Sequence, residues 1–224
     1  MKLLFLGTGA ADWTQENEYG ERRRFSSALI DEILLIDPNP QALSALADCN
    51  KDQSKIRYIL NTHRHADHYC KETVKALQKT GARLIKLKAG KQKRLGRYEI
   101  TAVKANHGTA KRAVHFFIRD GEKTLFYGLD GAWLSYEEWR KIVEYRPDFA
   151  VLDGTIGFVD GDERIFEHND LHMVLEMKKT LSPFVKRFCI SHLARTLHPS
   201  QKQTEESLKD ENVLVAYDGM EIEI

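Results

Sequence analysis

The chain has 224 residues, of which 42% are hydrophobic and 30% charged, the balance of a globular protein with a buried core. Lysine and arginine (34) nearly cancel aspartate and glutamate (33), and the formal charge of +1 argues against a surface built for general polyanion binding. The net charge does not exclude a local basic patch. No low-complexity tract or Pro-rich linker divides the chain, so we expect one domain over residues 1–224.

The cysteines and the apolar runs indicate the compartment. Cys49, Cys70 and Cys189 form no CxxC pair, which is typical of reduced, mostly buried thiols in a cytosolic protein. The N-terminal apolar run is ended by Gly7 and is shorter than the core of a signal peptide. No segment approaches the ~18–20 apolar residues that cross a bilayer. We therefore expect a cytoplasmic protein with no membrane partner.

Short apolar runs bounded by turn residues predict β-strands up to residue 130. The predicted strands cover residues 2–7, 26–30, 32–37, 56–61, 83–87, 97–105, 112–120 and 123–130. The Asp31-Glu32 pair gives a tight turn between the second and third of these strands. Helices are predicted among them at 40–49 and 68–81, and Gly81 ends the second helix.

Helices and strands alternate in the remainder of the chain. The predicted helices cover residues 135–145, 170–181 and 200–210, and the predicted strands cover 148–154 and 185–191. A final hairpin over residues 213–224 turns at Asp218-Gly219. Because the strand-only runs are too long for regular βαβ alternation, the predicted fold class is mixed α/β (α+β), a four-layer αβ/βα sandwich whose two sheets carry helices on their outer faces.

The stretch "NTHRHADHYC", residues 61–70, crowds four metal-avid side chains into six positions behind an apolar strand. In an extended segment His63 and His65 point the same way. The chain must then turn into the next helix, so we expect Asp67 near the first turn of that helix with His68 pointing elsewhere. Two diverging pairs can serve two metal ions. A polar loop that is histidine-rich by chance is the plainer alternative, and the tight spacing disfavours it.

Three further ligand-type residues each follow an apolar strand: His107, Asp130 and His192. A lone buried histidine is usually a satisfied core residue. Strand ends on one rim of a sandwich converge in space, however, so together with the 61–70 stretch these three indicate the remaining ligands of the same site.

The segments "THRHADH", "NH", "LD" and "SH" resemble the five-motif signature of the metallo-β-lactamase superfamily, and the resemblance extends from "FLGTGAADW" over essentially the whole chain. It implies a sandwich of the metallo-β-lactamase type with a dinuclear metal site. The implied ligands are His63, His65 and His107 for one ion, Asp67, His68 and His192 for the other, and Asp130 between them.

Such a ligand set predicts hydrolytic chemistry. Mixed imidazole and carboxylate ligands suit Zn²⁺, with Mn²⁺ or Fe²⁺ as alternatives. Two cations ~3.5–4 Å apart lower the pKa of a shared water toward ~7 and clamp the oxygens of an in-line displacement. Open coordination positions are typical of a catalytic rather than a structural site, and no cysteine lies in the motifs. We expect Asp67 and Asp130 to be catalytic as well as metal-binding.

The segment "EHNDLHMVLEM" and the C-terminal hairpin resemble the PhnP-type phosphodiesterases, which open five-membered cyclic ribose phosphates. This resemblance implies a small phosphorylated substrate and a functional role for His168 and Asp170. Because histidine can be protonated near neutral pH, His168 could donate a proton to a leaving alkoxide or bind a nonbridging oxygen. The plainer alternatives are that His168 caps the following helix and that Asp170 simply starts it.

Several features depart from that family or stay open. Some PhnP-type proteins carry a cysteine-rich zinc site where this chain reads "DWTQENEYGERR", so no auxiliary metal is expected. Arg22, Arg23 and Arg24 could grip a phosphate, but a solvated charge run is the favoured interpretation. Asp37 and Asp153 could accept hydrogen bonds from ligand imidazoles or merely form turns.

The favoured hypothesis is a metal-dependent phosphodiesterase acting on a small, cyclic or acyclic, sugar or nucleotide phosphate. The alternatives are a tRNA 3′-processing nuclease, a thioesterase or lactonase, and a non-catalytic metal-bound binding protein. The net charge disfavours nucleic acid as a partner. A homodimer stays open, since nothing in the sequence fixes the oligomeric state.

Overall fold

The computed structural model describes residues 1–224 and contains thirteen β-strands in two sheets. The strands are β1 (Lys2–Gly7), β2 (Ser27–Ile30), β3 (Leu34–Ile36), β4 (Tyr58–Leu60), β5 (Arg83–Leu84), β6 (Lys91–Leu95), β7 (Tyr98–Lys104), β8 (Val114–Arg119), β9 (Thr124–Gly128), β10 (Phe149–Asp153), β11 (Arg187–Ser191), β12 (Val213–Val215) and β13 (Glu221–Glu223). The first sheet has the order β13-β1-β2-β3-β4-β5 and the second has the order β12-β11-β10-β9-β8-β7-β6.

Five α-helices connect parallel neighbours within these sheets. They are α1 (Ala42–Asp48), α2 (Lys71–Lys79), α3 (Tyr136–Tyr145), α4 (Leu171–Leu181) and α5 (Gln201–Leu208). Helices α1 and α2 link β3, β4 and β5, while α3, α4 and α5 link β9, β10, β11 and β12. Each crossover carries the chain over the outer face of its sheet, as parallel pairing requires.

Three apolar clusters separate the four layers. The central cluster joins the facing sides of the sheets, with Phe5 and Ile30 from one and Ile100 and Tyr127 from the other, all at most 1% exposed. A second cluster packs the first sheet against α1 and α2, and a third packs the second sheet against α3, α4 and α5. Burial of one large apolar side chain contributes ~1.5–3 kcal/mol, so these clusters hold the layers together. The predicted four-layer α/β sandwich is confirmed.

The predicted C-terminal hairpin is wrong. Strand β12 pairs parallel to β11 in the second sheet, whereas β13 pairs antiparallel to β1 in the first sheet. The Asp218-Gly219 turn, with Gly219 at φ +88°, therefore carries the chain across the end of the central core from one sheet to the other. An Asp-Gly pair between two apolar runs predicts a turn, but it does not decide whether the runs pair with each other.

The helix predicted at 68–81 begins only at Lys71, so the expected place of Asp67 in its first turn is wrong. Asp67 and His68 instead lie in an isolated turn, in which the carbonyl oxygen of His65 accepts hydrogen bonds from the amides of His68 (3.0 Å) and Tyr69 (2.9 Å). The strand predicted over residues 83–87 is shortened to β5 because the chain leaves the sheet after Leu84.

Strand β6 was not predicted at all. Its sequence "KQKRL" pairs antiparallel with β7 at the edge of the second sheet, and four of its five residues are exposed. Only Leu95 of this strand enters the central cluster, so its sequence shows no apolar alternation that would predict a strand.

Two smaller observations complete the fold. All three cysteines are free, and only Cys189 is buried, so the expectation of mostly buried thiols was wrong for the half-buried Cys49 and Cys70. None of the five helices combines the length and the apolarity that a membrane crossing needs.

Candidate metal centre

The seven side chains that the sequence indicated as ligands meet at one edge of the sandwich. They extend from the segments that follow β4, β7, β9 and β11. These four strands place their carboxyl ends at the same rim, where α/β sheets commonly bind ligands. Six of the seven side chains are buried and His65 is half-buried. The seven are His63, His65, Asp67, His68, His107, Asp130 and His192.

The first group of donor atoms comprises His63, His65, His107 and Asp130, whose ligand atoms lie within 4.8 Å of one another. The Nε2 atom of His107 lies 3.2 Å from Nδ1 of His65, and Nε2 of His63 lies 3.1 Å from Oδ2 of Asp130. Three imidazoles and one carboxylate thus face a common point.

The second group comprises Asp67, His68, Asp130 and His192. The Nε2 atoms of His68 and His192 lie 3.2 Å apart. Asp130 presents Oδ2 to His68 Nε2 at 2.8 Å and Oδ1 to His192 Nε2 at 2.7 Å. Asp130 therefore belongs to both groups, with Oδ2 facing His63 and His68 and Oδ1 facing His192.

Backbone strain turns two of these side chains toward the centre. Asp130 and His192, just beyond the ends of β9 and β11, have φ values of +57° and +64°. A left-handed backbone at a residue other than glycine costs ~1–3 kcal/mol and persists only where the surroundings enforce it. Asp37, which follows β3 and contacts the same centre, has φ +58°. Three strained positions at one rim are typical of a functional site.

A completely buried carboxylate supports the second group from behind. Oδ2 of Asp37 lies 2.9 Å from Nδ1 of His68, which leaves Nε2 of His68 for a ligand role. Asp37 also accepts hydrogen bonds from the amide of Thr62 (2.7 Å) and the side chain of Asn61 (3.0 Å). Asp37 thus has the position that the sequence indicated for an acceptor behind a ligand imidazole.

Threonines orient two other imidazoles, and the sequence analysis did not find them. The hydroxyl of Thr155 lies 2.7 Å from Nδ1 of His192, and that of Thr62 lies 3.1 Å from Nδ1 of His63. Asp153, the other strand-end carboxylate, lies 3.8 Å from Nδ1 of His192 and contacts His168 more closely. The only sequence signal for either threonine was that Thr155 lies two residues beyond the strand-end carboxylate of Asp153.

The electrostatics of the centre favour cations. Burial opposes the ionisation of Asp67, but hydrogen bonds with His192 and His68 outweigh it and hold the pKa of Asp67 well below its usual range. Burial lowers the pKa of His192, but Asp130 and Asp67 outweigh it and raise this pKa to about 10. Burial lowers the pKa of His63 to about 2. The centre therefore concentrates ionised carboxylates that need positive charge.

The donor atoms fit divalent metal ions. Nε2 of His63 and Oδ1 of Asp130 are buried, and their close contacts with Oδ2 of Asp130 (3.1 Å) and Nε2 of His192 (2.7 Å) lack the geometry of hydrogen bonds. An unsatisfied buried polar group costs ~1–3 kcal/mol. Pairs of imidazole nitrogens 3.2 Å apart, at His65 with His107 and at His68 with His192, would share a cation readily. Nitrogen and carboxylate donors without thiolate suit Zn²⁺, Mn²⁺ or Fe²⁺.

A cavity of about 180 Å³ opens over this centre, and His168 forms part of its wall. Nδ1 of His168 lies 2.9 Å from Oδ2 of Asp153 and 3.1 Å from the hydroxyl of Thr155, which leaves Nε2 for the cavity. Burial lowers the pKa of His168, but Asp153 outweighs it and raises this pKa above its ordinary value. The helix-capping alternative for His168 was wrong, because Asp170 is the N-cap of α4.

Asp170 and the arginine triplet lie outside the cavity wall. Asp170 accepts a hydrogen bond from the amide of Met173 at 2.6 Å and is absent from the cavity wall, so its predicted substrate contact gains no support. None of Arg22, Arg23 and Arg24 lines the cavity. The solvated-run interpretation was wrong for Arg23, which is only 8% exposed because its guanidinium donates to the Thr8 hydroxyl and the carbonyl of residue 216.

Three charged residues of the cavity wall escaped the sequence analysis: Asp12, Arg164 and Glu167. Asp162 holds the guanidinium of Arg164 through both carboxylate oxygens, at 2.8 and 2.6 Å. Glu167 accepts a hydrogen bond from the hydroxyl of Thr109 at 2.9 Å. Asp12 and Glu167 lie in turns and Arg164 lies in a short 3₁₀ helix (Glu163–Phe166), none of which has apolar periodicity. Only the adjacency of Glu167 to His168 could have drawn attention to one of them.

Comparison with known proteins identifies the fold. The chain is similar to the metallo-β-lactamase fold protein YhfI from Bacillus subtilis, with a TM-score of 0.76 and 16% identity over 99% of this chain and 98% of that one. This is the metallo-β-lactamase fold. It is also similar to Zn²⁺-bound PqqB from Methylobacterium extorquens, with a TM-score of 0.76 and 14% identity over the whole of both chains. The short form of human tRNase Z gives a TM-score of 0.71 and 14% identity over 100% of this chain and 99% of that one. No protein-family model and no curated protein sequence matches the chain.

Proposed function

We propose that the chain is a metal-dependent hydrolase, and within that class a phosphodiesterase. The observation that carries the proposal is the pair of four-donor groups that share Asp130 at the base of an open cavity. Divalent ions held there would act as Lewis acids and make a water nucleophilic near neutral pH. A metallo hydrolase and tRNase Z among its structural neighbours have the same fold. The shared fold supports hydrolytic chemistry as a proposal but does not assign an activity to this chain.

The carboxylates and the histidine of the cavity wall have different roles in the proposed hydrolysis. Asp67 and Asp130 line the cavity and carry the negative charge that retains the ions. His168 is placed to donate a proton to the leaving oxygen, because Asp153 fixes its Nδ1 side and favours its protonated form. A positioned proton donor contributes about 10²–10⁴-fold to a rate when the leaving group is a poor one.

The substrate is proposed to present a phosphodiester of a sugar or nucleotide to the cavity. Its volume of about 180 Å³ takes a small group at the reacting end, and Arg164 in its wall offers a guanidinium to a phosphate. The likeness to PhnP-type enzymes now depends on the His168 segment alone, since the C-terminal hairpin does not exist. A cyclic ribose phosphate is one narrower candidate within this class.

Hydrolysis of two diesters by the Zn²⁺- or Mn²⁺-loaded protein tests this function. Bis(p-nitrophenyl) phosphate has a leaving group that needs no proton, whereas a 2′,3′-cyclic nucleotide expels an alkoxide. We expect His65→Ala to abolish both activities, and His168→Ala to reduce the second by about 10²-fold or more and the first much less. His172→Ala is the matched control, because that side chain is 59% exposed on α4.

The competing hydrolases give different results. If the metal-loaded protein cleaves thioesters or lactones and leaves every phosphodiester intact, the phosphodiesterase proposal is refuted. The assignment of the fold would be unaffected. Equal losses for both diesters in His168→Ala would remove the proton-donor role from His168.

A further inference from the structure

A groove of about 840 Å³ adjoins the metal centre and shares His63 and His65 with it. Nineteen residues line this groove, and none of them is an aspartate or a glutamate. Six are cationic, and we call them and the space between them the basic groove. The six are Arg64, Lys86, Lys88, Lys104, Lys111 and Arg112.

Each of these six side chains is exposed, and none forms an ion pair or a side-chain hydrogen bond. Several surface cations elsewhere are neutralised, as where Lys51 contacts both Glu32 (3.1 Å) and Glu221 (3.2 Å). Six like charges around one concave space repel one another and raise the local potential, which attracts an anion. The chain as a whole carries only +1, so this charge is concentrated in the groove rather than spread over the surface.

The groove is built by loops of both sheets. Arg64 follows β4, and Lys86 and Lys88 follow β5, all from the first sheet. Lys104 ends β7, and the loop between β7 and β8 supplies the other two cations from the second sheet. The cations thus line a path between the two sheets that begins at His63 and His65. An anionic chain could follow this path away from the metal centre.

The rest of the lining is not that of a simple phosphate site. Eight of the nineteen residues are hydrophobic, and the half-buried Leu84 and Leu87 and the exposed Ala89 present apolar surface to the groove. The guanidinium of Arg64 lies 5.0 Å from the ring centroid of Tyr69, another lining residue. Cationic walls that follow a backbone, together with apolar and aromatic surface for bases, are typical of sites for single-stranded nucleic acid.

We propose that the basic groove binds the strand of a single-stranded oligonucleotide whose terminal phosphodiester lies at the metal centre. This inference rests on the proposed phosphodiesterase function and names its substrate class. In the reaction, water adds to phosphorus and the ester P–O bond breaks. The leaving oxygen takes a proton from His168, and the proton lost by the attacking water then reprotonates His168. The small cavity holds the terminal phosphodiester, and the groove holds the phosphates of the neighbouring nucleotides.

Binding of a fluorescein-labelled 12-nucleotide strand, followed by anisotropy across a salt series, tests the groove. The metal-loaded protein carries His168→Ala so that the strand is consumed about 10²-fold more slowly. We expect Lys88→Gln with Lys111→Gln to weaken binding at least tenfold at low salt. Each lost phosphate contact should lower the slope of log K against log salt by about 0.7, so the pair lowers it by about 1.4.

Lys79→Gln with Lys202→Gln is the matched control. Both lysines are exposed and free of ion pairs, lie outside the groove, and give the same change in net charge. Binding and salt slope should stay at the parent values in this control. If the control weakens binding as much as the groove pair does, the attraction is general and the inference fails.

Competition separates the anion classes. A 12-base-pair duplex or inorganic tripolyphosphate that displaces the strand as well as unlabelled strand does would overturn the inference. Failure here is distinguishable from failure of the proposed function. If the protein cleaves small diesters but binds no strand, only the proposal for the basic groove is refuted. If it binds the strand but cleaves no diester, the proposed phosphodiesterase function is refuted.

Discussion

The carboxylate of Asp37 lies 2.9 Å from Nδ1 of His68, and both side chains are completely buried. This contact determines which ring nitrogen of His68 faces the metal centre. It also links β3 to the turn after β4, so the fold and the centre share one hydrogen bond.

Replacing Asp37 with asparagine should weaken metal binding about 10–100-fold, because the imidazole of His68 loses its charged acceptor. Competition with a chromogenic chelator measures the affinity. Asp210→Asn, at an exposed position, is the control. An unchanged affinity in Asp37→Asn would show that the contact does not support the ligand.

The Asp153–His168 contact leads to a second expectation. Asp153→Asn should lower kcat for a diester with an alkoxide leaving group and leave p-nitrophenolate release much less affected, as expected for His168→Ala. The double variant should lose little more than either single one, because the two side chains act as a unit. Steady-state rates on both diesters measure this, and additive losses would separate the two residues.

His198 should make stability depend on pH outside the metal centre. Its Nε2 donates a hydrogen bond to the carbonyl of Gly154 at 2.7 Å, and burial lowers its pKa to about 4. The unfolded chain binds this proton near pH 6.5, so the stability is complete above that pH and is lost as the pH falls toward 4.

For this one group the free energy of unfolding should fall by up to about 1.4 kcal/mol per pH unit within that window. His198→Gln keeps a donor but does not titrate, so its urea-measured stability should fall less steeply between pH 6.5 and 4.5. Parallel curves for the two proteins would contradict this account of His198.

The buried pair of His115 and Glu138 should matter for stability. Nδ1 of His115 contacts the Glu138 carboxylate, and neither residue is measurably exposed. Glu138→Ala should therefore cost roughly 3–5 kcal/mol, because it leaves a buried imidazole without its partner. The apolar pair His115→Phe with Glu138→Leu should cost much less. Urea unfolding of all three proteins decides this, and a larger loss in the double variant would refute it.

Much of the metal centre could be located from the sequence because its residues follow apolar strands. Strands β4, β9 and β11 are apolar runs, and His63, Asp130 and His192 come within three residues of their ends. Parallel strands joined by helices bring such ends to one rim, so the pattern predicts proximity without any knowledge of distances.

The remaining features depend on contacts that no local pattern carries. The strands on either side of Asp218-Gly219 pair with β11 and β1 in different sheets, and β6 is recognisable only by its pairing with β7. Bulk charge concealed the basic groove, because its six cations are scattered between positions 64 and 112 and acidic residues elsewhere offset them. The sequence-based argument against nucleic acid rests on the net charge and stays a prediction, whereas the proposal for the basic groove rests on the local charge.

The metal content of the purified protein tests the central claim most directly. Elemental analysis should return two divalent ions per chain, and His65→Ala and His192→Ala, which remove one ligand from different groups, should each retain about one. A single ion per chain that is unaffected by His65→Ala, or no bound metal under any loading condition, would contradict the dinuclear hydrolase.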